Sequence, residues 1–345
     1  MLRDKALNIT GVSKHQYYYD RKGTKQGLKP SLYTLTVFGE RVDNSEIVII
    51  IKEIHANPDT KYGYIKMSYA LKTKGYIINK KKVYRLMKEH QLLGKKYTNK
   101  TKTYAKYRKV LPDRPLHILE MDIKFVWVEQ SRKHAYILTI IDTFTRMTLY
   151  YTVALSIRKK EVKQAWEHII KDHLQPNDCL NGPVNIEIRN DNDKRFSAKL
   201  VQEFFKENHL NQVFTHPYTP QENGHIESFH AILSNHLKPY VFWSLEELEQ
   251  NLVLFYEQYN NTRIHGSIAY TSPRIFWDLW NLNMIEKTVN KQQRKIKFKL
   301  KIPYHNIKQY TGNNEPEGSS LPYSEYDKSI NKKMSSAATS IQLTV

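Results

Sequence analysis

Ile118-Leu119-Glu120-Met121-Asp122-Ile123-Lys124-Phe125 decides the fold of this 345-residue chain. Leu119, Met121, Ile123 and Phe125, continued by Trp127, recur at every second position. Successive side chains of an extended chain point to opposite faces, so the spacing predicts a strand with one apolar face and puts Asp122 on the other. A buried carboxylate without a partner is costly, which marks mid-strand Asp122 as a group with a cation to meet.

Working outward, residues 134–141 and 146–154 read as second and third strands, joined by Asp142-Thr143-Phe144-Thr145 with Asp142 as turn former. A helix over 159–171 follows. Val184, Ile186 and Ile188 alternate into a fourth strand, with Asp191 just past its C-terminal end. The pairs Leu200/Phe204 and Val201/Phe205 have the spacing of an amphipathic helix, and 212–215 forms a fifth strand. Two prolines and a glycine make 216–224 a loop able to move. Glu227 then sits on a helix whose Ile226, Phe229 and Leu233 bury the neighbouring face. The order β-β-β-α-β-α-β-α, with acids on strand one, after strand four and on a late helix, matches a ribonuclease-H-like layout. That is an α/β fold with a mixed five-stranded sheet, flanking helices and strand one at the centre.

The chain carries 54 Lys+Arg against 34 Asp+Glu, a net charge of +20, which points to a polyanionic partner. No run of 18 apolar residues appears, and Met1-Leu2-Arg3-Asp4 lacks a signal peptide's apolar core, so no membrane partner is expected and a reducing, intracellular setting is. The single cysteine, Cys179, excludes an internal disulfide or a multi-cysteine zinc site and reads as a buried thiol.

Ahead of the sheet, Ile47, Val48, Ile51 and Ile54 show helical spacing stopped by Asn57-Pro58-Asp59. A second helix runs over 65–74 and ends at Gly75. Asn79 caps a third, in which Val83, Leu86 and Met87 bury one face while Lys80, Lys81, Lys82, Arg85 and Lys88 crowd the others. An apolar docking side and a cationic side are the attributes of a recognition helix; a basic solvated helix is the plainer alternative. The expected organisation is therefore a basic N-terminal arm or partial helix-turn-helix (1–44), an all-α helix-turn-helix domain (45–96), a basic linker (97–113), the catalytic core (114–282), and a basic strand followed by a disordered tail (283–345).

Together these phrases resemble bacterial insertion-sequence transposases of the OrfB type (the insertion-sequence-three group), relatives of retroviral integrases. Tyr62-Gly63-Tyr64, the run from Val83 to Met87 with Leu92 and Leu93, and Tyr259-Asn260 with Arg263, His265, Thr271 and Pro273 follow the family's pattern in order over about residues 45–280. Asp122, Asp191 and Glu227 match its three catalytic acids, the last two separated by the usual thirty-five residues. The chain departs from the family where Leu119 stands for Trp, Asp193 for Gly, Arg195 for Gln, and Ser234 for a basic residue that Lys238, one turn on, could replace.

The resemblance implies a DDE-type polynucleotidyl transferase acting on double-stranded DNA, both the element's terminal repeats and the target. It works as a homo-oligomer on paired ends, with an upstream-frame product as a possible partner. Asp122, Asp191 and Glu227 would hold two Mg²⁺ or Mn²⁺ ions, Asp122 bridging, because hard carboxylate oxygens suit these cations. Water attack at the element's end leaves a 3′-OH that attacks a second strand. The competing function is a decayed or domesticated transposase that only binds DNA; a retroelement integrase is disfavoured by the missing His/Cys zinc module. His225 and His230, flanking Glu227, read as surface histidines, and His265 as a support for the last helices or a DNA contact. Arg263 and Lys238 join the five basic residues of the third helix as expected DNA contacts. Neutralising Lys81, Lys82 and Arg85 is expected to weaken end binding and to lower its salt dependence by about one unit of slope per lost phosphate contact, read from binding titrations at several salt concentrations.

Overall fold

The computed structural model describes residues 3–18, 30–94, 110–181, 184–216, 220–290 and 295–311. The expected linker at 97–109, the loop residues 217–219 and the tail from 312 onward lie outside the described residues.

The N-terminal part begins with α1 (Arg3–Thr10) and α2 (Lys14–Tyr17). Gly11 turns the chain at φ +67°, a conformation glycine adopts freely, and the Ser13 side chain caps α2 by accepting the Gln16 N–H. A hairpin follows, β1 (Tyr33–Thr36) and β2 (Arg41–Asp43), with Gly39 at φ +85° in its turn. The sequence reading assigned this stretch to a basic arm. Next come α3 (Asn44–Ala56), α4 (Tyr64–Thr73), β3 (Tyr76–Ile77) and α5 (Lys80–Glu89), the last capped by the Asn79 side chain as expected. Ile47, Ile51, Met67, Leu71, Val83 and Met87 fill the centre of the three helices. β3 pairs with β1 in a small antiparallel sheet of order β2-β1-β3, an addition to the purely helical expectation. These strands are two to four residues long, too short for alternation to reveal.

The larger sheet has the order β6-β5-β4-β7-β8, with β4 (Ile118–Val128), β5 (Lys133–Asp142), β6 (Thr148–Ala154), β7 (Glu187–Asn190) and β8 (Asn211–Phe214). β4, β5 and β6 are antiparallel, whereas β7 and β8 run parallel to β4. The predicted order and the central place of strand one are both present. The third strand starts at Thr148 rather than 146, because Arg146 is left-handed at φ +67° and belongs to the turn.

Two cores clothe the sheet. Met121, Ile123, Leu138 and Ile140 face α6 (Lys159–Ile169) and α7 (Lys199–Glu207), where Trp166 and Phe205 meet edge-on at 5.1 Å. Ile137 and Ile141 face α8 (Gly224–Leu237) and α9 (Leu245–Asn261), meeting Ile226, Phe229, Leu252 and Phe255. Glu120 and Asp122 share the α8 side. Beyond α9 come α10 (Pro273–Asn281), the hairpin β9 (Ile285–Asn290) and β10 (Lys295–Leu300), and α11 (Ile307–Thr311). Phe298 and Leu300 dock that hairpin against Phe144 and Phe276, while Lys295, Lys297 and Lys299 alternate on its exposed side.

The helix-turn-helix unit is seated on the core. The Ile264 N–H donates to the Tyr62 hydroxyl at 2.9 Å, His236 Nδ1 lies 2.8 Å from Asp59, and the Tyr69 and Tyr270 rings stack at 3.9 Å.

Asp142 is buried and holds the β5–β6 turn, as its reading as a turn former requires. It accepts from the N–H groups of Leu116, Phe144 and Thr145 and from the Thr145 hydroxyl. Asp142→Ala would orphan three buried backbone donors at about 1–3 kcal/mol each, so denaturant unfolding is expected to show a loss of at least about 3 kcal/mol.

Candidate active site

Leu119 pairs with Ile188 and Glu120 with Arg189, so extending the parallel register two residues brings Asp122 level with Asp191. Asp122 is half-buried beside Thr139 of β5, and its Oδ2 lies 3.3 Å from His230 Nδ1. His230 stands one helical turn after Glu227 on α8, so the helix offers both side chains to the sheet on one stripe. Glu227 is exposed, yet partial desolvation and then the charges of Asp122 and Glu120 push its carboxyl up to about 7. Asp191 is also raised, by burial first and by the charge of Asp122 among its neighbours. Asp122 thus lies within electrostatic reach of both other acids. Among the described residues no three His, Cys, Asp or Glu side chains form a ready-made cation cluster, so the acids share a neighbourhood without closing into a cage. The donor set fits a divalent ion: it is all carboxylate oxygen, and a cation beside Asp122 would relieve the like charge that helps raise Asp191 and Glu227.

Asp193 does not compete with Asp191. Its carboxylate is clamped by Arg195, with Nε at 2.8 Å from Oδ1, and the pair holds the Asp193 pKa down. The Asp193 N–H donates to Asp191 Oδ1 at 3.1 Å, which orients that carboxylate. Arg195 also lies over the Tyr136 ring at 5.3 Å. Ser234 turns its hydroxyl back to the His230 carbonyl, and Lys238 is exposed at the end of α8. Eleven residues of helix put Lys238 about 16 Å along the axis from Glu227, away from the acids.

Reading the histidines as surface groups is corrected: His230 is nearly buried against Asp122, and His225 Nδ1 lies 2.9 Å from the fully buried Glu120. Sequence reasoning passed over Glu120. Its signal was its place two residues before Asp122 on the same strand face. Glu120 Oε2 accepts from the N–H groups of His225 at 3.0 Å and Ile226 at 2.7 Å. Cys179 is half-buried, and His265 is buried beside Tyr259, bridging Thr271 as a support of the last helices.

The expected DNA contacts divide. Lys80, Lys81 and Lys88 are exposed on α5. Lys82 and Arg85 are half-buried and donate to the 31–33 segment, Lys82 to the Ser31 hydroxyl at 3.2 Å and the Tyr33 carbonyl, Arg85 to the Ser31 carbonyl at 3.2 Å. They pin the hairpin that the sequence reading did not place, so the loss of salt dependence falls chiefly to Lys81 in the triple change. Arg263 has a structural partner: its Nη1 donates to the Asp59 carbonyl, making it a strut between helix-turn-helix unit and core. Lys66, half-buried at that junction, has its pKa lowered to about 8 by desolvation and by Arg263.

Residues 42–100 match a family model described as an HTH-like domain, and residues 112–220 and 208–273 match two models described as integrase core domain. The fold and its acidic edge therefore define a helix-turn-helix protein with an integrase core. A transposase for insertion sequence element IS904 of Lactococcus lactis subsp. lactis is 22% identical over 241 residues, covering 66% of this chain and 91% of that protein. The "insertion element IS407 uncharacterized 31.7 kDa protein" of Burkholderia multivorans is 20% identical over 274 residues, covering 79% and 89%. The chain belongs with the insertion-sequence transposases of the OrfB type, whose core is integrase-like. Similar solved structures include a simian T-cell lymphotropic virus intasome in complex with PP2A regulatory subunit B56 gamma (15% identity, 64% of this chain and 74% of that chain, TM-score 0.40). Another is the catalytic domain of Mos1 mariner transposase (14% identity, 41% and 70%, TM-score 0.36). A third is an HTLV-2 integrase catalytic core in complex with magnesium (20% identity, 48% and 97%, TM-score 0.34). At these scores the superpositions add nothing to what strand order establishes.

The Glu227 shift has a sign that can be read in solution. An acid that titrates near 4.5 when unfolded and at about 7 when folded penalises folding as pH rises through that window. With divalent metal chelated, Glu227→Gln is expected to lessen the fall in thermal midpoint between about pH 5 and about pH 8. An unchanged fall would show that neither desolvation nor its neighbours raise the Glu227 carboxyl.

Proposed function

We propose that this chain is a DNA transposase that binds its element's ends and then cleaves and joins strands, with Asp122, Asp191 and Glu227 as the carboxylates of a two-metal centre. The observation that supports this most is the shared neighbourhood of the three acids, on strand one, after strand four and on α8, in which Asp122 raises the pKa of both others. Two Mg²⁺ or Mn²⁺ ions, when bound, supply charge stabilisation for the attacking and leaving oxygens of an in-line phosphoryl displacement.

The remaining work falls to the chain. Asp122, Asp191 and Glu227 are the carboxylates that would hold the ions, with Asp122 contributed from the central strand. His230 holds Asp122 from α8 and so limits its rotamers. α5 offers Lys80, Lys81 and Lys88 to DNA phosphates, and Lys238 offers a further cation at the end of α8. The seating of the helix-turn-helix unit through Arg263, Tyr62 and His236 couples the DNA-reading unit to the core. A homo-oligomer on paired ends, acting in the bacterial cytoplasm, belongs to the same reading; among the described residues no helix is long and apolar enough to cross a membrane. Asp193, the departure that favours a decayed DNA-binding relic, is neutralised locally by Arg195, so it leaves Asp191 available.

Alanine at Asp122, Asp191 or Glu227 is expected to reduce metal-dependent strand joining on the element's own ends by at least about a hundredfold, since outer-shell losses alone cost 10–100-fold. End binding should stay near wild type in the same preparations. A variant that still joins DNA removes its residue from the centre. Specific end binding with no cleavage by the unaltered chain, under either metal, would favour the relic.

A further inference from the structure

α8 begins without help from its own sequence. Asn223 occupies its N-cap position at φ −116°, ψ 29°, and makes no side-chain cap bond. The first N–H groups of any helix have no partner inside it, and in a buried setting each must find one. Here the partner comes from another element. Glu120 of β4, with no exposed surface, turns Oε2 to the N–H groups of His225 and Ile226, the second and third residues of α8. Its Oε1 takes the His225 side chain at 2.9 Å. A carboxylate at a helix N-terminus is favoured by the helix dipole as well as by these bonds. Burial pushes the Glu120 carboxyl up to about 7, while the Ile226 N–H, Arg146 from the β5–β6 turn and Arg189 from β7 favour its charged form.

The consequence lies in the acids next along each element. Glu120 is two residues before Asp122 on the same strand face, and Ile226 is the residue before Glu227. We propose that Glu120 is a positioning residue: by capping α8 from β4 it fixes the place of Glu227 relative to Asp122. This inference rests on the reading of those two acids as ligands of one metal centre. Glu120 is not itself a further ligand, because both oxygens are engaged and neither reaches solvent. What it supplies is reach and geometry, since it closes a rigid bracket from strand to helix.

The bracket separates variants in an order that charge alone would reverse. Glu120→Gln keeps an acceptor oxygen at the same reach, so the cap on Ile226 is retained. Glu120→Asp keeps the charge but withdraws the carboxylate by one methylene, so the cap is lost. Strand joining by the full-length protein, on the element's ends with saturating DNA and a Mg²⁺ titration, should be near wild type in Glu120→Gln. In Glu120→Asp and Glu120→Ala it should fall by about tenfold or more, with a higher Mg²⁺ midpoint and end binding unchanged. Amide hydrogen exchange, without metal or DNA, should be faster at residues 225–227 in the Asp and Ala variants and unchanged in the Gln variant. If Glu120→Ala does not fold, the Gln and Asp pair carries the test. Joining by Glu120→Asp as good as or better than by Glu120→Gln would overturn the proposal, as would equal exchange at 225–227 in all variants. Should the unaltered chain join no DNA with Mg²⁺ or Mn²⁺, the transposase reading fails on its own, and the exchange measurement still decides the bracket.

Discussion

Leu119 against Ile188 and Glu120 against Arg189 form the junction where the antiparallel half of the sheet meets its parallel half. Almost everything else about the core follows from that junction. A strand that pairs antiparallel on one side and parallel on the other must lie inside the sheet, and its parallel neighbour must arrive by a long crossover, here carrying α6. Because both strands point the same way, the end of β7 comes level with the middle of β4. Asp191, just past Asn190, then meets Asp122 across one strand spacing rather than from the far end of the sheet.

The same junction makes the site electrostatically demanding. Glu120, Asp122, Asp191 and Glu227 gather on one side of the sheet, and burial with mutual repulsion raises three of them above their ordinary values. The surroundings offset this in two ways. Arginines 146 and 189 sit beside the deepest carboxylate, and the N–H groups of His225 and Ile226 donate to it. What remains uncompensated is at the outer edge, at Asp191 and Glu227, where a cation can reach. An arrangement that pairs the inner acids and leaves the outer ones repelled is suited to taking up metal and poorly suited to stability without it.

A division of labour among basic residues accompanies this. The net charge of +20 reads as a single polyanion-binding property, yet the structure spends several of these cations internally. Arg263 ties Asp59 to the core, Lys82 and Arg85 hold the 31–33 segment, and Arg195 silences Asp193. Of the seven basic residues expected to meet DNA, Lys80, Lys81, Lys88 and Lys238 are left exposed.

The sequence by itself determined the succession of strands and helices in the core and the helices of the helix-turn-helix unit, while likeness to a ribonuclease-H-like layout and to OrfB-type transposases supplied the central place of β4 and the three candidate acids. The elements are written in local periodicity, which survives without knowledge of any contact: alternation along 119–127 and i,i+4 pairs in α7. Only the tertiary structure decided what Glu120, His225, His230, Lys82, Arg85 and Arg263 do. Each has the sequence signature of an ordinary surface charge, and its role depends on a partner distant in the chain: β4 for α8, the 31–33 segment for α5, Asp59 for Arg263. The short strands β1 to β3 escaped for the same reason, since two to four residues carry no period and are held by pairing across the fold. Periodicity reports which face a residue takes, whereas a charge is given its work by whatever the fold brings within about 3 Å of it.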